Sequence, residues 1–365
     1  DSHDTGELWL VPLSGGPPQP LNTGGVGGTI ARYSPDGEWI AFEAHSMVDS
    51  ARDWQSKRIA LVTSDGGDPV DITSEQVFGP DLNFSNVQAL SWSPDSRTIL
   101  AEFRQVHDIE TAAKTKMNAI AIVDTSGGNY RVLVENETDL DMWARVSWAP
   151  DGKMIAYTRA AEEDTTVRIV NLSNGISETV TYGKEPTWSA DGNEIAFSRG
   201  GNIWTRDMQT KEEDQITLNL QNAARPTWSP VGDLIAFKQE REVWLVSAYG
   251  GEAERLAEYA GLINWAGNGS ALFGHSNKSN TYKGIWGDVW IYTLANKPNA
   301  GTTWGGSQGH VPHVARDGSF VVSCALVEGE GLIIQEPGKT EGRVFFNADD
   351  GRYPMFPTVS PSQTK

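Results

Sequence analysis

The sequence predicts an all-β chain made of repeated four-stranded sheets, and three observations carry that expectation. A five-residue phrase recurs along the chain, each strong copy runs into a short apolar strand, and units close through Gly-Gly or Asn-Gly turns. Self-similarity at a period of about 40 residues, with four short strands per unit, is the pattern of a β-propeller. One such unit cannot bury both faces of its sheet, so several must stack side by side.

Taken in chain order, the amino end supplies two strands, Glu7–Val11 and a second ending near Asn22. The phrase then appears as Tyr33-Ser-Pro-Asp-Gly37, Trp92-Ser-Pro-Asp-Ser96, Trp148-Ala-Pro-Asp-Gly152, Trp188-Ser-Ala-Asp-Gly192 and Trp228-Ser-Pro-Val-Gly232, with weaker copies at 265–269, 314–318 and 359–363. Proline fixes φ and glycine takes a positive φ, so each phrase is a tight turn between a first and a second strand. Second strands follow, such as Trp39-Ile-Ala-Phe42 and Ile195-Ala-Phe197, and then third strands such as Asn202-Ile-Trp204 and Glu242-Val-Trp-Leu-Val246. Short apolar runs flanked by such turns read as strands buried between neighbouring sheets. Blades are expected to start near residues 30, 89, 145, 185, 225, 262 and 311, and a closing blade pairs 356–365 with 1–22. Sharing that blade between the termini removes an open sheet edge. The expectation is a single domain over 1–365 with eight blades, seven being the alternative.

The Trp-Ser-Pro-Asp-Gly phrase, the Ile-Ala-Phe strand and the later Val-Trp-Leu-Val…Gly-Gly-Glu-Ala-Glu-Arg-Leu run resemble the TolB-type, WD-like propeller repeat over nearly the whole chain. That resemblance implies an exported, periplasmic or secreted protein. It leaves activity open, because such repeats serve as interaction modules, as gating domains of larger enzymes and as the body of some polysaccharide lyases.

Composition narrows the partners. Forty-eight acidic against 29 basic residues give a net charge of −19, which repels nucleic-acid backbones. No apolar run reaches the roughly 18 residues of a membrane span. Cys324 is the single cysteine, so no internal disulfide framework exists; its place in a second strand suits a buried, inert thiol.

Loop type sorts the remaining chemistry. The turns from first to second and from third to fourth strands are short, so the end bearing them is a plain scaffold. The opposite end carries the variable connections, and binding concentrates where loops vary on a rigid frame. All six histidines (His3, His45, His107, His275, His310, His313) and the four tryptophans outside repeat slots (Trp54, Trp143, Trp286, Trp304) belong to that end. Those indoles can stack on a ligand or pin their own loops. His45 and His275 are expected at corresponding positions after their second strands. With His310, Tyr282 or Tyr353 they are candidate bases, and with His107 they are candidate holders of a divalent metal. His310 and His313 point to opposite faces of an extended strand, so that pair alone makes no metal site, and no metal or other cofactor is expected. Arg104, Arg159 and Arg199 end second strands, whereas Arg145, Lys184 and Arg225 sit just before first strands. Arg145, Glu185 and Arg225 occupy one equivalent slot, read either as an inter-blade ion-pair network or as a cationic mouth for carboxylate or sulfate groups. The acidic runs Glu135–Asp141 and Asp349–Asp350 lack the spacing of a calcium loop.

Three functions compete. The first is a binding module for a protein or glycan on the long-loop face. The second is a polysaccharide lyase on an acidic sugar polymer, with His45, His275, His310, Tyr282 or Tyr353 as base and Arg104, Arg145 or Arg225 as neutraliser. The third is a gating or scaffold propeller of a larger enzyme. The first is preferred, since no nucleophile elbow, phosphate loop or zinc signature is present.

Overall fold

The computed structural model describes residues 7–13, 16–46, 58–72, 84–106, 116–126, 131–137, 146–159, 164–218, 220–257, 263–275, 289–294, 301–303, 313–317, 319–324, 332–336, 343–346 and 357–361. They form antiparallel sheets without an α-helix, so among them no helix is long and apolar enough to cross a membrane. The chain divides into two compact units, one built mainly from residues 1–142 and 360–365, the other mainly from 143–158 and 163–359.

The first unit holds a two-stranded sheet, Trp9–Leu10 with Gln19–Pro20, and two four-stranded sheets. Sheet one runs Val26–Tyr33, Trp39–Ser46, Arg58–Thr63 and Val70–Asp71. Sheet two runs Phe84–Trp92, Thr98–Val106, Lys116–Asp124 and Arg131–Glu137. The second unit holds five more, each in simple meander order. Sheet three spans Ser147–Trp148 to Ser177–Tyr182, sheet four Lys184–Trp188 to Glu213–Gln215, sheet five Ala223–Trp228 to Glu254–Ala257, sheet six Ile263–Trp265 to Gly301–Thr303, and sheet seven His313–Val314 to Arg343–Phe346. Residues 357–361 carry no assigned strand, so the closing blade stays an expectation.

The repeated phrase has a clear structural cause. In sheet one, Ser34 Oγ donates to Asp36 Oδ1 at 2.5 Å, and the same hydroxyl accepts from Trp39 N at 3.0 Å. Asp36 Oδ1 also accepts from Glu38 N at 3.0 Å. Ser93 with Asp95 and Ser189 with Asp191 repeat this arrangement, each at 2.6 Å. A side-chain acceptor thereby satisfies backbone donors that the tight turn would otherwise leave unpaired. Where Val231 replaces the aspartate, Ser229 Oγ turns to the Val231 carbonyl at 2.6 Å. The fifth position is left-handed in every copy where it is described: Gly37 has φ 79°, and Ser96 adopts φ 61° in place of a glycine.

In two copies the tryptophan that opens the phrase ties its sheet to the one before it. Trp92 Nε1 donates to the Arg32 carbonyl at 3.1 Å, and Trp265 Nε1 to the Thr227 carbonyl at 3.0 Å. Its ring fills the space between sheets, as with Trp228 among Ala196, Ile203, Ile235 and Phe237. An indole serves here because it brings a large apolar ring and one donor together.

Candidate functional site

The anchor pairs of the seven sheets are Tyr33–Ile40, Trp92–Ile99, Trp148–Ile155, Trp188–Ile195, Trp228–Ile235, Trp265–Leu272 and Val314–Val321. From them, two slots near the variable end can be compared. Three residues before the anchor, the first strand is bulged in sheets one, four and five, and Ile30, Glu185 and Arg225 stand there at φ 52°, 59° and 54°. A left-handed β-branched or charged residue costs of the order of 1–2 kcal/mol, so the surroundings must hold it in place. Pro186 and Pro226 follow two of these residues. Proline donates no ladder bond and fits this first strand because it is the edge of its sheet. Three residues after the anchor, the second strands place Glu43, Glu102, Thr158, Ser198, Lys238, His275 and Cys324 at one register, each a polar or ionisable group.

In the second unit the two slots join into a hydrogen-bonded belt across three sheets. Glu185 N donates to Thr158 Oγ1 at 2.8 Å, and Ser198 Oγ donates to Glu185 Oε2 at 2.8 Å. The same carboxylate oxygen accepts from Arg225 N at 2.8 Å, while Oε1 lies 3.5 Å from Arg225 Nε. Glu185 retains 8% side-chain exposure and Arg225 34%, so the carboxylate is the buried partner and the guanidinium reaches solvent. The bulge is what turns both side chains toward one another. The ion-pair reading of this slot therefore describes Glu185 and Arg225; Arg145 lies outside the described residues.

The other cations differ in what they do. Arg199 ends the second strand of sheet four, and its guanidinium stacks 3.9 Å from the Trp204 ring centroid. It donates to Glu213 Oε2 at 2.7 Å, and Arg206 holds the other oxygen at 2.7 Å. Partial burial works against ionisation of Glu213, but donors on Thr181, Arg199 and Arg206 hold its carboxyl below the usual glutamate range. Arg199 thus braces its own sheet. Arg159 and Lys184 are exposed at the end of a second strand and the start of a first strand. In the first unit, burial lowers the Arg32 guanidinium from its ordinary range; Arg32 Nη1 donates to the Ala31 carbonyl at 2.8 Å.

The imidazole expectations need one correction. His45 and His275 lie inside their second strands, not after them, and they are not equivalent: His45 is five residues past its anchor partner and His275 three. Adjacent sites on one strand face are about 7 Å apart, so the two occupy different levels. Arg104 likewise lies two residues inside its strand end. Only the backbone of His45, His275, His313 and Arg104 is described. His3, His107, His310, Trp54, Trp143, Trp286, Trp304, Tyr282 and Tyr353 lie outside the described residues. Among the described residues, no group of three His, Cys, Asp or Glu side chains could hold a metal ion.

Sequence reasoning missed Lys238, Gln239 and Arg241. The available signal was the anchor spacing, which puts lysine in sheet five where Thr158 and Ser198 stand in sheets three and four.

Residues 104–282 match the model of the TolB β-propeller domain. That stretch is a TolB-type propeller segment. A solved TolB of Acinetobacter baumannii is 18% identical, covering 74% of this chain and 63% of its own, with a TM-score of 0.44. A structure from a study of two prolyl endopeptidases is 11% identical over 87% of this chain and 49% of its own, with a TM-score of 0.57. Oligogalacturonate lyase of Vibrio parahaemolyticus is 10% identical over 87% of this chain and 93% of its own, with a TM-score of 0.55. The chain therefore spans less than two thirds of the first two relatives' length. At these identities the likeness is one of fold. No curated protein matches the sequence.

Proposed function

We propose that this chain is a TolB-type propeller acting outside the cytoplasm as a binding module, with its working surface at the end where first strands begin and second strands pass to third. The observation that carries this reading is the sorting of chemistry along the strands. Serine–aspartate pairs make one end a set of near-identical hairpins, as at Ser34, Ser93 and Ser189. The other end holds the two polar slots, and the sequence assigns to it the histidines and the tryptophans that no repeat position claims. The reading also takes the sheets as blades of one eight-bladed domain closed by both termini. Immobilised chain should capture a protein or glycan that the Trp54→Ala, Trp286→Ala, Trp304→Ala triple variant loses. Unchanged capture by a folded triple variant would overturn the reading.

A lyase is the weaker alternative. It draws support from a fold shared with a protein titled oligogalacturonate lyase.

A further inference from the structure

Sheet five departs from the plain hairpins around it, and it does so in both of its turns. At the fourth position of the phrase, Asp36, Asp95, Asp151, Asp191, Asn268 and Asp317 are polar, whereas sheet five has Val231. Two residues past the cross-strand pairs Trp39–Thr63, Thr98–Asp124 and Glu194–Asp207 stand Asp65, Ser126 and Gln209. Past the equivalent pair Leu234–Ser247 stands Tyr249. Val231 is 51% exposed and Tyr249 80%. The two turns adjoin, because Ala248 N donates to the Asp233 carbonyl at 2.7 Å. Val70 and Ile176 are exposed at the hairpin ends of other sheets, but singly, and a lone exposed apolar side chain is ordinary. Among the described residues, a matched pair in neighbouring turns occurs in sheet five alone.

Turn chemistry does not ask for either residue. Elsewhere the aspartate serves the hairpin as an acceptor, and valine gives that up. Val231 is nevertheless held in place, since its Cγ2 fills the space that a Cβ on Gly269 of sheet six would need. A seated valine and an open tyrosine ring are the materials of a contact surface, where tyrosine is enriched. Charge narrows the partner. The four hairpin turns of sheets four and five carry Asp191, Glu194, Asp207, Glu212, Asp233 and Glu252 against Lys211. Glu194 and Asp207 are direct cross-strand partners at the level of Leu234 and Ser247.

We propose that the adjoining turns of sheet five are a second contact surface, and that its partner is a basic protein segment carrying an apolar side chain. The apolar side chain lies against Val231, an arginine or lysine covers the open face of Tyr249, and the surrounding carboxylates supply the attraction. A second copy of this chain would set carboxylate against carboxylate, and an anionic membrane or nucleic acid would be repelled in the same way. This surface lies at the hairpin end, so it goes beyond the binding-module reading, which concerns the opposite end.

The test is fluorescence anisotropy with a labelled peptide of alternating arginine and leucine, titrated with the purified full chain at about 0.15 M salt. The variant is Val231→Asn with Tyr249→Ser, which borrows the residue types of Asn268 and Ser126 from equivalent turns. Both changes are neutral, so the net charge and the long-range field stay as they are. The thermal midpoint should hold or rise, because Asn268 Oδ1 shows that asparagine can accept the turn amide, at 3.0 Å from Ser270 N. Wild type should bind the peptide, the double variant at least fivefold more weakly, and the Gln/Leu version of the peptide should bind neither. The surface is refuted if wild type ignores the basic peptide or if the folded double variant binds it equally well. It is also refuted if the Gln/Leu peptide binds as tightly, or if sedimentation shows a wild-type dimer that the variant abolishes. Capture through Trp54, Trp286 and Trp304 is a separate measurement, and none of these results decides it.

Discussion

Ser96 shows how much one side chain can decide. It occupies the position where other copies of the phrase carry glycine, at φ 61°, and its Oγ accepts a hydrogen bond from Asp36 N of the preceding sheet at 3.0 Å. The left-handed backbone costs about 1 kcal/mol and the bond returns a similar amount. Ser96→Gly relieves the strain and loses the bond, so urea denaturation should place it within about 0.5 kcal/mol of wild type. Ser96→Ala keeps the strain and leaves the amide without its acceptor, for a cost of about 1–2 kcal/mol. An alanine variant as stable as the glycine variant would show that the bond contributes nothing. Glu185 and Arg225 are the same argument at the other end: glycine would suit their backbone, yet ionisable residues stand there, and the reason is the contact they make with one another.

At the scale of the hairpin, the serine–aspartate pair makes stability depend on pH. The Ser189 hydroxyl, followed by the Asn193 amide, holds the Asp191 carboxyl below the usual aspartate range. A depressed folded value means that the ionised form favours the fold. That contribution is complete above the ordinary value of about 3.9 and is lost as pH falls through the lower folded value. Ser189→Ala removes the leading donor, so the variant should be less stable than wild type at neutral pH. The gap should narrow as pH falls from about 7 to about 3. It should not vanish, because Ser189 Oγ also accepts from Glu194 N at 2.9 Å at every pH. Chemical denaturation across pH measures the gap, and one that stays constant or widens would rule out the carboxylate as the cause.

For the molecule as a whole, the governing quantity is charge. With a net charge of −19, like-charge repulsion opposes the folded state wherever solvent fails to screen it. Raising ionic strength from about 0.01 to 0.15 M shortens the screening length from about 30 to 8 Å, so the thermal midpoint should rise by a few degrees. Scanning fluorimetry across a salt series tests this, and a midpoint that falls would mean that favourable ion pairs such as Arg206–Glu213 outweigh the repulsion.

The strand class and the meander order within each sheet were legible in the sequence, because turn chemistry and period-two burial are local properties written in adjacent residues. Trp-Ser-Pro-Asp-Gly specifies a hairpin almost by itself, since serine, aspartate and glycine each satisfy a need within five positions. The pairing of Glu185 with Arg225 was half legible, as an equivalent slot without a geometry. What only the tertiary structure decided was direction: that a left-handed bulge turns those two side chains together, and that Arg199 folds back onto Trp204. The contact of Glu185 with Arg225 joins residues 40 positions apart, and its energy depends on burial and on neighbouring charge, which no local pattern encodes.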